Sequence, residues 1–312
     1  MTASAVAFPG TAPGSITTGP FTSTIYGQAP EMDVVAKLGI KQHDPKLVRV
    51  VARQNPQKKV KFTLTSPFAN KQYCLPAYER SLSHIPTHEA HAVFYDNSNC
   101  PEMRDELLRI LHANFDSWTL VEDRNAASTF ETNITLDSYP WITRRVAAVY
   151  GTLFPTYLAD APIVFNLEDD VEIGPDAFQR LWDTIHMDDR IATVIGNQRD
   201  RRTGYASTGR PIAFELEEVI RSGHVDADQI KLIAKREKKF GIEAIGSGHL
   251  GCWMTRRSAL EAIDIGEEYC RGMAGPDIIW GWRVNRANQL FVINWSVECR
   301  HWFQRFGRPV SL

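Results

Sequence analysis

The chain has 312 residues, 43% hydrophobic and 23% charged, which excludes a disordered or collagen-like polymer and leaves room for one large α/β domain. Its 35 basic and 37 acidic side chains leave a formal net charge of −2, so no global field draws it to nucleic acid or anionic lipid. The five cysteines, Cys74, Cys100, Cys252, Cys270 and Cys299, are odd in number and form no C-x-x-C pair, which argues against a disulfide framework or a zinc ribbon.

Residues 1–30 contain no Asp, Glu, Lys or Arg and cannot bury enough apolar surface to offset their ordering entropy. Residues 1–58 are therefore expected to be a flexible tail and lead-in, with the folded domain over 59–312. The N-terminus lacks the basic and apolar regions of a signal peptide, and no apolar run approaches the ~20 residues of a membrane span. The expectation is a cytoplasmic protein with no membrane span.

Val60, Phe62 and Leu64 alternate with polar neighbours and predict the first strand. Residues 92–95 read as a short buried strand, and Pro101 opens a helix whose Met103, Leu107, Leu108 and Leu111 share one face. Residues 118–121 predict a third strand and 142–153 a helix, followed by an apolar strand at 162–167 and a helix from Pro175. Strands at 191–195, 249–254 and 290–295 follow, with a charged helical segment at 215–239 broken near Gly223. Alternating strands and helices predict an α/β domain, a mixed and mainly parallel sheet flanked by helices.

Glu168, Asp169, Asp170 and Glu172 come directly after the apolar run at 162–167. Ligands in open α/β sheets collect at the carboxyl ends of strands. Acids packed this closely repel one another, and a divalent cation relieves that; hard oxygen ligands suit Mg2+ or Mn2+. The competing reading is a solvated acidic turn ahead of the helix at Pro175, where anions are favoured.

From Phe165 to Phe178, Glu168-Asp169-Asp170 is followed by Val171-Glu172-Ile173 and then Pro175-Asp176. This string resembles the D-x-D-type motif of GT-A fold glycosyltransferases, in the E-D-D form of the inverting N-acetylglucosaminyltransferases. The resemblance implies a single GT-A catalytic domain, with a donor nucleotide half over about 59–174 and an acceptor half over about 175–312. It implies a metal-dependent hexosyl- or N-acetylhexosaminyltransferase that uses a nucleotide sugar such as a UDP-sugar, with Mn2+ or Mg2+ held by Asp170. Glu168 and Asp169 would then contact the donor nucleoside. The acceptor class, whether carbohydrate, protein or modified nucleic acid, is left open.

Other positions fit the same resemblance in chain order. His301, just after the apolar run at 290–295, is the second metal-ligand candidate, against the ordinary alternative of a structural histidine. Asp277, at the start of a helix, is the candidate base for an inverting transfer, against a role as a first-turn acid. Asp96 ends a strand and resembles the acid that recognises the donor base or ribose, although Asp96-Asn97-Ser98-Asn99 is equally a turn sequence. Ser66 and Pro67, expected just past the first strand, would line the donor pocket, and Arg144 and Arg145 would meet the diphosphate. The glycine-rich segment from Gly246 to Met254 resembles the acceptor-side strand, where Trp253 or Trp280 would stack on a sugar unless they pack in the core.

Three other readings are weighed. A sugar-nucleotide nucleotidyltransferase shares fold and metal, but Thr65-Ser66-Pro67-Phe68-Ala69-Asn70 stands where its glycine-rich phosphate loop would be. A phosphohydrolase is disfavoured because the acids do not recur along the chain. A non-catalytic carbohydrate- or DNA-binding protein of the same fold stays open. His84, His88 and His91 read as structural or surface residues in preference to a zinc site, because Pro86 interrupts the helix that would align the first two and His91 starts a strand. Lys231, Lys235, Arg236, Lys238 and Lys239, with Arg199, Arg201 and Arg202, are interspersed with acids as on a solvated helix face.

Overall fold

The computed structural model describes residues 43–55, 59–98, 100–125, 139–198, 240–262, 275–305 and 308–311. The N-terminal tail, the 215–239 segment and the basic cluster therefore lie outside the described residues.

An edge strand, β1 (Val48–Gln54), pairs antiparallel with β4 (Trp118–Asp123). The lead-in expected up to residue 58 thus contributes a sheet strand, which half-exposed side chains had hidden from a hydrophobicity pattern. Next come β2 (Phe62–Phe68), α1 (Leu75–Leu82), β3 (Ala90–Asp96) and α2 (Pro101–Asn114). Pro101 stands in the first turn of α2, where its missing N–H costs nothing. Met103, Leu107, Ile110 and Leu111 of α2 recur at helical spacing and are buried.

After β4 the chain forms α3 (Tyr139–Tyr157), β5 (Ile163–Leu167), β6 (Val171–Ile173), α4 (Ala177–His186) and β7 (Ile191–Gln198). The last described elements are β8 (Ile242–Ala244), β9 (Cys252–Arg256), α5 (Arg257–Ala262), α6 (Pro276–Arg286), β10 (Leu290–Arg305) and β11 (Arg308–Ser311). Among the described residues no helix is long and apolar enough to cross a membrane.

The sheet runs β1-β4-β3-β2-β5-β9-β7-β10-β11, with β6 and β8 paired to β10. Its centre, β4-β3-β2-β5, is parallel, and so is β7 with β10, while β9 runs antiparallel between β5 and β7. Parallel neighbours need crossover helices, which cover both faces of the sheet. On one face Phe62, Leu64, Phe94 and Phe165 meet α1, α2 and α4. On the other Val93, Tyr95, Val164 and Trp253 meet α3 and α6. Each such large apolar side chain contributes ~1.5–3 kcal/mol on burial.

Candidate active site

Strand directions gather the chemistry on one edge. β2, β3, β4 and β5 are parallel, and the antiparallel β9 between β5 and β7 sets β7 in the same direction. Their carboxyl ends therefore lie together. From β2 the chain crosses through α1 to β3 on one side, and it returns through α3 to β5 on the other. The gap between β2 and β5 is a topological switch point, the place where such sheets bind ligands. α6 precedes β10 and α3 precedes β5, so both helices present their N-termini to this edge.

Glu168, Asp169 and Asp170 leave the end of β5 directly into that gap. Asp169 and Asp170 are each 3% exposed. The Ala69 N–H, in the turn after β2, donates to Asp169 Oδ2 at 2.9 Å. Lys71 Nζ spans the pair, 2.9 Å from Asp169 Oδ1 and 2.8 Å from Asp170 Oδ2. Burial pushes the Asp169 carboxyl up to about 7, and the negative charge of Asp170 adds to this against the opposing Lys71 ammonium. Glu168 is raised too, by burial first and then by Asp170. Its Oε1 accepts from Tyr150 OH at 2.8 Å. That hydroxyl in turn accepts from Asn166 Nδ2 at 3.2 Å, and Asn166 Oδ1 takes the Thr65 hydroxyl at 2.9 Å. A satisfied polar chain through the core thus fixes Glu168, each link contributing about 1 kcal/mol.

His301 reaches the acids through strand pairing. β6 folds back antiparallel on β10 and places Val171 opposite His301, and the Trp302 N–H donates to the Asp170 carbonyl at 2.7 Å. His301 Nε2 then lies 3.2 Å from Asp170 Oδ2, and Gln198 Nε2 lies 3.1 Å from His301 Nδ1. Gln198 Oε1 is buried with no hydrogen-bond partner. A half-turn of that carboxamide would let Oε1 accept from Nδ1–H and leave the Nε2 lone pair facing Asp170. Gly251 gives Gln198 its room, since a Cβ there would stand 2.4 Å from Gln198 Oε1.

These observations fit a divalent cation. Asp170 offers a carboxylate oxygen, which suits Mn2+ or Mg2+, and His301 an imidazole nitrogen, a ligand type that a transition metal such as Mn2+ accepts more readily than Mg2+. Among the described residues no group of three or more His, Cys, Asp or Glu is arranged to hold a metal. A cation here would complete its shell from a diphosphate and water, the common arrangement for such ions at phosphate sites.

The structure corrects several expected roles. His301 lies inside β10, not beyond the last strand. Ser66 and Pro67 lie inside β2, and Ser66 Oγ is hydrogen-bonded to Tyr78 OH in the core, out of reach of a donor. Arg145, expected on the diphosphate, is 6% exposed and donates to Asp123 Oδ2, so its guanidinium is engaged in an interior ion pair. Trp253 and Trp280 are 0% exposed, with ring centroids 5.7 Å apart, and pack in the core instead of stacking on a sugar. Trp280 Nε1 donates to Thr193 Oγ1 at 3.0 Å. The helix expected from Pro175 starts at Ala177.

Asp96 ends β3 as expected; it is buried and accepts from the Ser98 N–H at 2.9 Å, and burial raises its carboxyl. Arg144 is half-buried on α3. Asp277 is half-buried in the first turn of α6, at the carboxyl edge of the sheet. Gly275 lets it fold back there, with Asp277 Oδ1 and Thr143 Cγ2 at 2.8 and 3.2 Å from where a Cβ would stand.

Three residues at this edge were not anticipated. Lys71 and Gln198 are described above. Asp123, fully buried at the end of β4, accepts from Tyr95 OH at 3.0 Å and from the Asn125 N–H at 2.8 Å, besides Arg145. Burial alone would raise its carboxyl, but His43, the Arg145 charge and Asn125 together hold it below the usual range. An acid at a strand end was the available signal, since Asp96 shares it.

The architecture has counterparts among solved structures. GalNAc-T7 with UDP, GalNAc and Mn2+ aligns at TM-score 0.51 and 12% identity, over 80% of this chain and 44% of that one. The fold is GT-A. Mannosyltransferase PcManGT from Pyrobaculum calidifontis, in complex with GDP-Man and Mn2+, aligns at TM-score 0.44 and 15% identity, over 85% and 61%. This chain spans less than two thirds of the length of either of these structures. No family model and no curated protein matches its sequence.

Proposed function

We propose that the chain is a divalent-metal-dependent glycosyltransferase, moving a sugar from a UDP-sugar to a carbohydrate, protein or modified-nucleic-acid acceptor with inversion at the anomeric carbon. One observation carries this reading: Asp170 leaves a parallel strand at the switch point of a GT-A sheet and lies within hydrogen-bond reach of His301. The UDP and Mn2+ in the GalNAc-T7 structure support the choice of donor and ion.

In this reading Asp170 and His301 hold Mn2+ or Mg2+. Bound there, the ion supplies positive charge against the charge that develops on the leaving diphosphate. Glu168, Asp169 and Asp96 contact the nucleoside, and Arg144 faces the diphosphate. Asp277 takes the proton of the acceptor hydroxyl as that oxygen bonds to the anomeric carbon and the bond to the diphosphate breaks.

A panel of nucleotide sugars with Mn2+, Mg2+ or chelator tests the proposal. Slow release of nucleoside diphosphate without acceptor is expected with metal only, and is lost in Asp170→Asn. Equal donor affinity with and without metal would overturn it.

A further inference from the structure

Asp170 Oδ2 is contested. It lies 2.8 Å from Lys71 Nζ and 3.2 Å from His301 Nε2, so the carboxylate oxygen nearest His301 already receives an ammonium. Lys71 also holds Asp169 at 2.9 Å. We propose that Lys71 is the resident counter-cation of this cluster, holding the place between Asp169 and Asp170 until a divalent cation displaces it toward the donor diphosphate. The proposal rests on the reading of the cluster as a cation and diphosphate site.

The local structure suits such an exchange. Asn70 adopts φ 51°, a left-handed turn that brings Lys71 back across the end of β5. The backbone beside it is anchored, with Ala69 N–H on Asp169 and the Cys74 N–H on the Lys71 carbonyl at 2.9 Å. The Lys71 side chain is 18% exposed, so its ammonium has a way out. Its four-carbon stem can relocate the charge by several ångströms without backbone movement, which a planar guanidinium does less readily. An ammonium and a divalent ion crowded onto one carboxylate oxygen repel each other, which loosens the hold of the ammonium there. Moved off the acids, the ammonium meets the one strong anion the reaction brings, the diphosphate.

The exchange fixes two opposite signs. Replacing Lys71 with an uncharged side chain of similar length removes a competitor for Mn2+ but also a contact for diphosphate. In Lys71→Met, Mn2+ affinity without nucleotide, read by electron paramagnetic resonance, is expected to rise about tenfold, while UDP affinity at saturating Mn2+ falls about tenfold. A purely structural lysine would not move the two in opposite directions. Unchanged or weakened Mn2+ binding in Lys71→Met overturns the proposal.

A second measurement needs no variant. Acetylation of Lys71 in the unmodified chain, followed by mass spectrometry, is expected to accelerate with Mn2+ alone and to slow again when UDP is added. Labelling that does not respond to Mn2+ bound through Asp170 overturns the proposal alone. Equal Mn2+ affinity in Asp170→Asn and the unmodified chain removes the underlying reading, and this proposal with it.

Discussion

At Asp170, which partner keeps the shared oxygen depends on how His301 is oriented, and Gln198 sets that orientation. Its side chain lies against Gly251 and reaches His301 Nδ1 at 3.1 Å. Gln198→Leu keeps the volume and removes the hydrogen bond, so Mn2+ affinity is expected to fall ~10–100-fold, as for other groups that orient metal ligands. Gln198→Glu still accepts from Nδ1–H and is expected to hold affinity near that of the unmodified chain. Calorimetry with Mn2+ checks both, and equal losses in the two variants would reduce Gln198 to a packing residue. Asp277→Asn keeps the shape of the α6 first turn but cannot take a proton. Transfer is expected to fall ~10²–10⁴-fold with donor affinity unchanged; undiminished turnover would remove its role as base. Asp170 and His301 were legible because acids after an apolar run, and a histidine near a late strand, carry their own local pattern. Lys71 and Gln198 carry none, since only the order of strands in space makes them neighbours of the acids.

Element by element, legibility followed burial. β3 and β5 are buried along their whole length and stood out as apolar runs, whereas β1, with half its side chains wet, did not. The strand expected over 290–295 stops where the apolar stretch, interrupted by Asn294, gives way to Ser296, whereas β10 runs on to Arg305. Alternation continues through the buried Val297, Cys299 and His301, and that continuation carries the histidine to Asp170. His91 shows the reverse case, a residue weighed for zinc that joins β3 to β4. Its Nδ1 lies 2.6 Å from Ser117 Oγ and its Nε2 3.2 Å from Thr119 Oγ1. Burial lowers its pKa to about 4 from an ordinary value of 6.5. The folded state therefore binds fewer protons than the unfolded one between those values, and stability is lost as the pH falls through that window. Between pH 7 and pH 5 this group is expected to cost about 2 kcal/mol, read from urea midpoints. His91→Gln should be less stable at pH 7 yet lack this component of the acid slope. An unchanged slope would place the acid sensitivity elsewhere.

On the scale of the molecule, the candidate site is where separate parts of the chain are tied together. The turn after β2, the end of β5, the β6–β10 pairing and the end of β7 all meet at Asp169, Asp170 and His301. The sheet order that brings them together is non-local, so the α/β class was legible in the sequence but the convergence was not. Such a convergence makes ligand binding a stability term for the whole fold. A ligand that binds only the folded state at 100 times its Kd adds ~2.7 kcal/mol, a rise of several degrees in Tm for a chain of this size. On the proposed reading the cation frees Lys71 from Asp170, and cation and freed ammonium both meet the diphosphate, so each ligand should raise the affinity for the other, and that coupling is reciprocal. Mn2+ alone is expected to raise Tm slightly, UDP with chelator hardly at all, and the two together by more than the sum. Asp170→Asn should abolish that excess while leaving the unliganded Tm close to its starting value or higher, since the substitution removes a buried charge along with its partner's contact. If UDP raises Tm equally with and without chelator, nucleotide and cation do not meet at Asp170, and the convergence of strands there serves the fold alone.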